Sequence, residues 1–144
     1  MKVKDLLKTK GKEVVSMEVD GTVDDAIRSM SARNIGALIV TLNEKPVGIF
    51  TERDVIKCYV SSGGKSFKEL LLQDTMSTGL VVAEMEEDIS KVSSTMVRLG
   101  IRHLPVMEKG RISGILAMRD VIQSQIGDLS AEIHYLKDYV INNS

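Results

Sequence analysis

The sequence of 144 residues has few of the side chains that catalytic and metal sites use. It contains one cysteine and two histidines, which excludes an intramolecular disulfide and a CxxC metal site. The HExxH, GxSxG and GxxxxGK[ST] motifs are absent as well. We therefore expect neither an enzyme nor a metal centre.

Long apolar runs and an excess of one charge are also missing. No run approaches the roughly 20 apolar residues that a membrane-spanning helix needs, and residues 1–15 do not resemble a secretory signal. The net charge of -1 gives no general reason to expect nucleic acid or an anionic membrane as a partner. The content of 43% hydrophobic and 27% charged residues fits a globular protein. The cytoplasm is the expected location.

A repeated segment is the strongest feature that is present. A shift of 66 residues aligns 22–56 with 88–122 without a gap, and ten of the 35 paired residues are identical. The clearest pair is GIFTERDVI (48–56) and GILAMRDVI (114–122). The sequence therefore contains a duplication, and each element has to be assigned in both copies.

Each copy has the same predicted order of elements. VVSMEV (14–19) and LVVAEM (80–85) are typical of short strands. A helix follows, with Thr22 and Asp88 as N-caps. Its apolar stripe consists of Val23, Ile27, Met30 and Ile35 in the first copy and Ile89, Val92, Met96 and Leu99 in the second. Two strands around a tight turn come next, and a second helix begins at Thr51 and near Met118.

Each copy is thus predicted to be a β-α-β-β-α unit, which is too small to bury both faces of its sheet alone. Two units packed sheet to sheet would close one shared core. The predicted fold class is α+β (α/β), with two units related by a pseudo-twofold axis and a C-terminal helix. We divide the chain into repeat one with a helical lead-in (1–62), a linker (63–79), repeat two (80–125) and an amphipathic C-terminal helix (126–144).

The doubled unit, with G-h-h-T-x-x-D at 48–54 and R-H-L-P-V at 102–106, resembles the cystathionine-β-synthase (CBS) domain family. Two CBS copies in tandem form a Bateman module, and this chain resembles a stand-alone pair. The resemblance implies a regulatory, energy-sensing module that binds an adenine nucleotide between the repeats and signals by a change of lobe or dimer geometry. AMP is the favoured ligand, with ADP, ATP, S-adenosylmethionine or NAD as alternatives, and no cofactor is obligatory.

Thr51 and Asp54 allow two interpretations. They fit a capping box, in which the two side chains satisfy free amides at the start of a helix. An ionised aspartate can also accept hydrogen bonds from both hydroxyls of a ribose, beside a helix N-terminus that favours phosphate. Ala117 cannot cap, yet Asp120 is retained in the second copy, which slightly favours ligand binding or an interaction with the helix dipole over a capping box. Together with the family pattern, this makes ribose binding at Asp54 our favoured hypothesis.

In CBS pairs similar to this chain, the ribose-binding aspartate of one copy faces the first two strands of the other. The resemblance therefore implies one complete cleft, with an apolar floor for the base and a basic pair for phosphate. Its residues are Ile49, Thr51, Arg53, Asp54, Leu80, Val81, Ile101, Arg102 and His103. A second, weaker cleft lacks the threonine and the basic pair and combines Val14, Val15, Ile35, Gly36, Ala37, Ala117 and Asp120.

Some of these residues have alternative roles. Arg102 and His103 also fit an ordinary hairpin. Arg53 and its counterpart Arg119 either reach a phosphate or form ion pairs at a dimer face.

The C-terminal segment carries an apolar seam at heptad spacing. Ile126, Leu129, Ile133, Leu136 and Val140 follow one another at steps of 3, 4, 3 and 4. The helix either docks on the core of its own chain or meets a second helix, in a homodimer or in a regulated partner protein. Tyr135 and Tyr139 flank the seam, and Lys137 and Asp138 are expected to face solvent. The alternative function is accordingly a ligand-independent interaction module that acts through its dimer surface and this helix.

Overall fold

The computed structural model describes residues 1–11 and 13–142. Residues 143 and 144 of the predicted C-terminal helix, and the side chains of Asp138 and Tyr139, lie outside this description. In chain order the elements are α1 (Val3–Lys10), β1 (Ser16–Glu18), α2 (Val23–Arg33), β2 (Ala37–Leu42), β3 (Lys45–Thr51), α3 (Glu52–Ser61), α4 (Leu72–Thr75), β4 (Ala83–Glu84), α5 (Ile89–Leu99), β5 (His103–Glu108), β6 (Arg111–Ala117) and α6 (Met118–Asn142).

The two halves of the chain form the same three-stranded sheet. In the first unit β1 pairs parallel with β2, and β2 pairs antiparallel with β3. The second unit repeats this order in β4, β5 and β6, and each residue pair of its hairpin lies 66 positions after its counterpart. Even the irregularity in the register recurs, after Val40 and after Val106. The predicted duplication and the mixed α and β architecture are confirmed.

Both hairpins turn through two residues in the left-handed conformation. The φ angles are 51° and 68° at Asn43 and Glu44, and 51° and 75° at Lys109 and Gly110. Two successive residues with positive φ match the right-handed twist of the flanking strands, which is why such short turns occur in hairpins. The predicted hairpins are therefore confirmed.

The ends of several elements differ from the sequence prediction. Thr22 does cap α2, because its hydroxyl accepts a hydrogen bond from the Asp25 amide at 3.1 Å. The helix ends at Arg33, however, since Asn34 turns the chain with a φ of 54°. Ile35, which the apolar stripe assigned to the helix, therefore lies beyond it. β1 and β4 contain three and two residues, fewer than the predicted strands.

Buried hydrophobic side chains form two clusters, one in each unit. This differs from the single shared core that we expected, because each sheet has its own helices against one face. The other face of β2 is buried as well, with Ile39 only 2% exposed. The helices of each cluster are not all local in sequence. Val3, Leu6 and Leu7 of α1 pack in the core of the second unit, whereas Leu72 of α4 packs in the core of the first.

The segment that leads into each unit therefore crosses to the other unit. Leu7 lies over Gly114 and Met76 lies over Gly48, so closely that an added Cβ would approach their side chains to 2.8 and 2.6 Å. The glycine that recurs at the same position of β3 and β6 is thus required by a close approach rather than by a turn. These crossings bring residues 10–11 and 76–77 beside the carboxylates of the repeated RDVI segments.

Candidate functional site

A cleft of about 990 Å³ lies between the two units. The first unit contributes Val15, Ile35, Gly36 and Ala37 to its wall, and the second contributes Ile115, Ala117, Arg119 and Asp120. Lys10 and Gly11, at the end of α1, lie at its edge. The structure thus brings together six residues of the predicted second cleft, namely Val15, Ile35, Gly36, Ala37, Ala117 and Asp120, while Val14 is not part of the lining.

Asp120 is one of the carboxylates that line this cleft, and α1 provides its partner. One oxygen, Oδ2, lies 2.8 Å from the Lys10 ammonium and accepts a hydrogen bond from the Ala117 amide at 3.3 Å. The same ammonium donates to the carbonyl oxygen of Ile115. The side chains of Lys10 and Asp120 remain 29% and 24% exposed, so a ligand in the cleft can reach both.

Asp54 has the equivalent position in the first unit but a different environment. It is 3% exposed, and its Oδ2 accepts hydrogen bonds from the amide and the hydroxyl of Thr51 at 3.0 and 3.2 Å. Its Oδ1 accepts a third from the Ser77 hydroxyl at 2.9 Å. The hydrogen bonds of the predicted capping box are therefore present in the structure. Ribose binding at Asp54 stays a prediction, and it would require the displacement of Ser77.

Ser77 is held in place by the backbone. Its amide and carbonyl exchange two hydrogen bonds of 2.9 Å with Ile49 of β3. This short pairing extends the edge of the first sheet and covers Asp54. Ile49, which we had expected to contact a base, is therefore engaged through its backbone with the crossing segment.

Arg102 and His103 line the cleft that contains Asp120. We expected them in the cleft of Asp54, so this placement differs from the prediction. The reason is that β5 begins at His103, and the imidazole of this residue lies against Gly36 of the first unit, which has no side chain. A Cβ at Gly36 would lie 2.9 Å from the Cε1 atom of His103. Arg102 and His103 of the second copy correspond to Gly36 and Ala37 of the first. The larger side chains of one copy thus occupy space that the small residues of the other leave open.

His103 is a mostly buried imidazole in this wall. Burial is the largest influence and lowers its pKa, while Glu52 and Asp120 raise it and Lys10 and Arg102 lower it further. Because the pKa falls below its usual value of about 6.5, His103 is mainly uncharged at neutral pH. It then offers a hydrogen bond rather than a charge to a ligand.

The two repeated arginines have different surroundings. Arg53 donates from Nη1 to the carbonyl oxygen of Gly100 at 2.9 Å, and so binds the end of α5 in the other unit. Arg119 lines the cleft with Asp120. The remaining predicted residues lie outside the helices and strands. Leu80 is half-buried, Val81 is 37% exposed, and Ile101 packs against the second core. Their role beside Asp54 stays a prediction.

Sequence reasoning missed Lys10 and Ser77, the two residues that contact the repeated carboxylates across the unit boundary. Both lie in lead-in segments, where no periodicity indicates which core the segment will join. The one signal was the repeated glycine at positions 48 and 114, which marks where a neighbouring segment approaches closely.

The seam of α6 is exposed. The exposed fractions lie between 46% and 62% for Ile126, Leu129, Ile133, Leu136 and Val140. Ile122, one step earlier in the same pattern, is 43% exposed. The interpretation in which this seam docks on the core of its own chain is therefore wrong. Among the described residues, no helix is both long and apolar enough to cross a membrane. No group of three His, Cys, Asp or Glu side chains within the described ranges is arranged to hold a metal ion.

Two tandem β-α-β-β-α units with a cleft between them define a class of paired regulatory domains. The family model of the CBS domain matches residues 3–61 and 68–127. The chain belongs to the CBS domain family and contains two CBS domains in tandem. A protein of Methanopyrus kandleri is 32% identical over 115 residues, which are 78% of this chain and 58% of that protein. The chain therefore spans less than two thirds of this relative.

Solved structures share the fold. The crystal structure of a CBS-domain containing protein from Agrobacterium tumefaciens superposes with a TM-score of 0.82 at 32% identity, covering 87% of this chain and 99% of that chain. A CBS domain pair solved in complex with 5′-methylthioadenosine and S-adenosyl-L-methionine has a TM-score of 0.77 at 22% identity, covering 89% of this chain and 98% of that chain. This second likeness shows the fold alone.

Proposed function

We propose that the chain is a regulatory module that binds an adenine nucleotide in the cleft between its two CBS domains. The observation that carries the proposal is the cleft of about 990 Å³ that contains the accessible carboxylate of Asp120. Its volume lies at the upper end of the roughly 300–1,000 Å³ typical of small-molecule sites. Apolar Val15, Ile35 and Ile115 would hold a flat base, and Asp120 would accept hydrogen bonds from the ribose.

The phosphate would lie near the cations of the same wall. Arg102 and Arg119 both line the cleft, and a guanidinium binds phosphate through paired hydrogen bonds. AMP is the favoured ligand, with ADP, ATP, S-adenosylmethionine and NAD as alternatives. A CBS pair of the same fold that was solved with 5′-methylthioadenosine and S-adenosyl-L-methionine motivates an adenosine-type ligand, and the two guanidinium groups of the wall favour AMP among them.

A bound nucleotide would signal by the relative position of the two units. The walls of the cleft come from both units, and a ligand shifts their geometry only as far as it binds one arrangement better than the other. The crossing segments couple that geometry to both cores, because α1 packs on the second core and Leu72 on the first. A homodimer or a regulated partner protein would read the change.

A thermal-shift titration with AMP, ADP, ATP, S-adenosylmethionine and NADH tests the proposal. At about 100 times Kd a ligand specific for the native state adds about 2.7 kcal/mol, which corresponds to a rise in Tm of roughly 5–10 °C for a chain of this size. We expect a saturable rise with at least one adenine ligand and none with GMP, the matched control. The absence of a shift with every adenine ligand, or an equal shift with GMP, would contradict the proposal.

Protein interaction through α6 is a second candidate function, and the exposed seam favours it. From Ile122 to Val140 the apolar residues follow at steps of 4, 3, 4, 3 and 4, and a period of 3.5 is what a helix needs to pair with a second copy of itself. The first unit exposes Ile56 and Val60 on α3, at the positions that correspond to Ile122 and Ile126. We therefore propose a second copy of this chain as the occupant of the seam.

Replacement of Leu129 and Leu136 by glutamate together is expected to shift the protein from dimer to monomer in sedimentation velocity at micromolar concentration. Two charges in an apolar seam would each have to be buried without a partner, which is costly. Tyr135→Glu is the control, because Tyr135 is 68% exposed and lies outside the seam. An unchanged oligomeric state in the double variant, or equal dissociation of the control, contradicts this assignment.

A further inference from the structure

We infer that Lys10 makes the cleft selective for nucleoside phosphates over nucleosides. Without a ligand Lys10 pairs with Asp120, and with a ligand it binds the phosphate while the ribose takes its place at the carboxylate. The inference rests on the proposed function, because it takes the cleft of Asp120 as the nucleotide site. It adds a residue that determines specificity and a requirement for negative charge on the ligand.

The comparison of the two units shows what Lys10 does. In the first unit Ser77 satisfies the Ile49 carbonyl through its backbone amide and the Asp54 carboxylate through its hydroxyl. In the second unit the corresponding acceptors are the Ile115 carbonyl and Asp120, each 66 positions further along. The Lys10 ammonium donates to both of them. In the second unit the flexible side chain of Lys10 thus donates to the two acceptors whose counterparts in the first unit accept from Ser77.

The two residues differ in how easily a ligand can displace them: Lys10 can move away from Asp120, whereas Ser77 is held beside Asp54. Ser77 is fixed by two backbone hydrogen bonds beside a carboxylate that is 3% exposed. Lys10 reaches Asp120 with the tip of a four-carbon side chain, and the pair is partly exposed. Partly exposed ion pairs contribute little net stability because solvent screens them. The two hydroxyls of a ribose can therefore replace the ammonium at Asp120.

When a ribose displaces Lys10 from Asp120, the Lys10 ammonium loses its anionic partner. The other carboxylates of the lining are Glu13, which is bonded to Arg33 at 2.8 Å, and Glu52, which lies close to Gly36. A ligand phosphate supplies the missing charge within a wall that already contains Arg102 and Arg119. A nucleoside without phosphate supplies none, so it gains the ribose contact with Asp120 but no contact with the displaced ammonium. The cleft should accordingly bind AMP more tightly than adenosine.

Isothermal titration of AMP and adenosine into wild type and Lys10→Met tests this inference, since methionine keeps an unbranched apolar side chain and removes the charge. In wild type we expect AMP to bind at least about tenfold more tightly than adenosine, the change that one lost charge-assisted hydrogen bond produces. In Lys10→Met we expect weaker AMP binding and stronger adenosine binding, so that the preference falls about fivefold or more. Lys8→Met, on the exposed side of α1, is the matched control and should keep the wild-type preference.

The outcomes separate the two proposals. A preference that stays within about twofold of wild type in Lys10→Met, with AMP still bound, overturns the role of Lys10 and leaves the nucleotide site standing. Equal affinity of wild type for AMP and adenosine likewise overturns the role of Lys10 and leaves the nucleotide site standing. No binding of AMP, adenosine, ADP or ATP to wild type overturns the role of Lys10, and the additional absence of binding of S-adenosylmethionine and NADH overturns the nucleotide site as well. Should Lys10→Met fail to fold by circular dichroism, Lys10→Gln, which keeps a donor for Ile115 but no charge, replaces it in the same titrations.

Discussion

Replacement of Leu7 by alanine is expected to lower the free energy of unfolding by about 3 kcal/mol. Leu7 is fully buried in the core of the second unit, although it lies at the start of the chain, before the first unit. Loss of a buried leucine side chain costs its transfer free energy and leaves a cavity, and together these amount to roughly 2–5 kcal/mol. Urea unfolding followed by circular dichroism gives the value directly.

Leu42→Ala is the control, since Leu42 is 49% exposed at the end of β2, and surface substitutions usually change stability by less than about 0.5 kcal/mol. A loss below about 1 kcal/mol in Leu7→Ala would contradict the packing of α1 on the second unit. A full loss is the result expected when α1 is packed in a core, as Leu7 is in the structure, and this packing fixes the position of Lys10 at the end of the same helix.

Replacement of Asp54 by alanine is expected to cost about 2–3 kcal/mol of stability. The carboxylate accepts three hydrogen bonds at a site that is 3% exposed, and its removal leaves the Thr51 amide and the Ser77 hydroxyl without this acceptor. An unsatisfied buried donor costs about 1–3 kcal/mol. The matched control is Asp120→Ala, which loses a partly exposed ion pair and should cost less than about 1 kcal/mol. Equal losses in urea unfolding would contradict the different roles of the two aspartates.

Local sequence signals were sufficient to predict most of the fold. The shift of 66 residues revealed the duplication, the helix stripes and N-caps located α2 and α5, and the spacing of the apolar strands required the two hairpins. Apart from the duplication, each of these signals lies within about a dozen residues. The crossing of α1 to the second unit could not be predicted in this way, because an amphipathic helix fits the sheet of either unit equally well.

The candidate site could be predicted in part. The cross-copy assignment implied by the family resemblance combined Val15, Gly36 and Ala37 with Asp120, and the structure brings these residues together. The preference for the cleft of Asp54 rested on Thr51 and on the basic pair of Arg102 and His103. The Thr51 hydroxyl is bonded to Asp54 itself, and the basic pair lines the other cleft. Each carboxylate also has a partner from a segment that is distant in sequence, Ser77 for Asp54 and Lys10 for Asp120, and only the three-dimensional arrangement reveals these two partners.

The most direct test is a calorimetric titration of AMP, or of whichever adenine ligand raises Tm most, into Asp120→Asn and Asp54→Asn. Asparagine preserves the shape of each side chain and removes the charge that a ribose diol would bind. We predict that Asp120→Asn weakens binding at least about tenfold, since a hydrogen bond to a charged group contributes about 1.5–3 kcal/mol. Asp54→Asn should stay within about threefold of wild type. Loss of binding confined to Asp54→Asn, or equal loss in both variants, would contradict the assignment of the nucleotide to the cleft of Asp120.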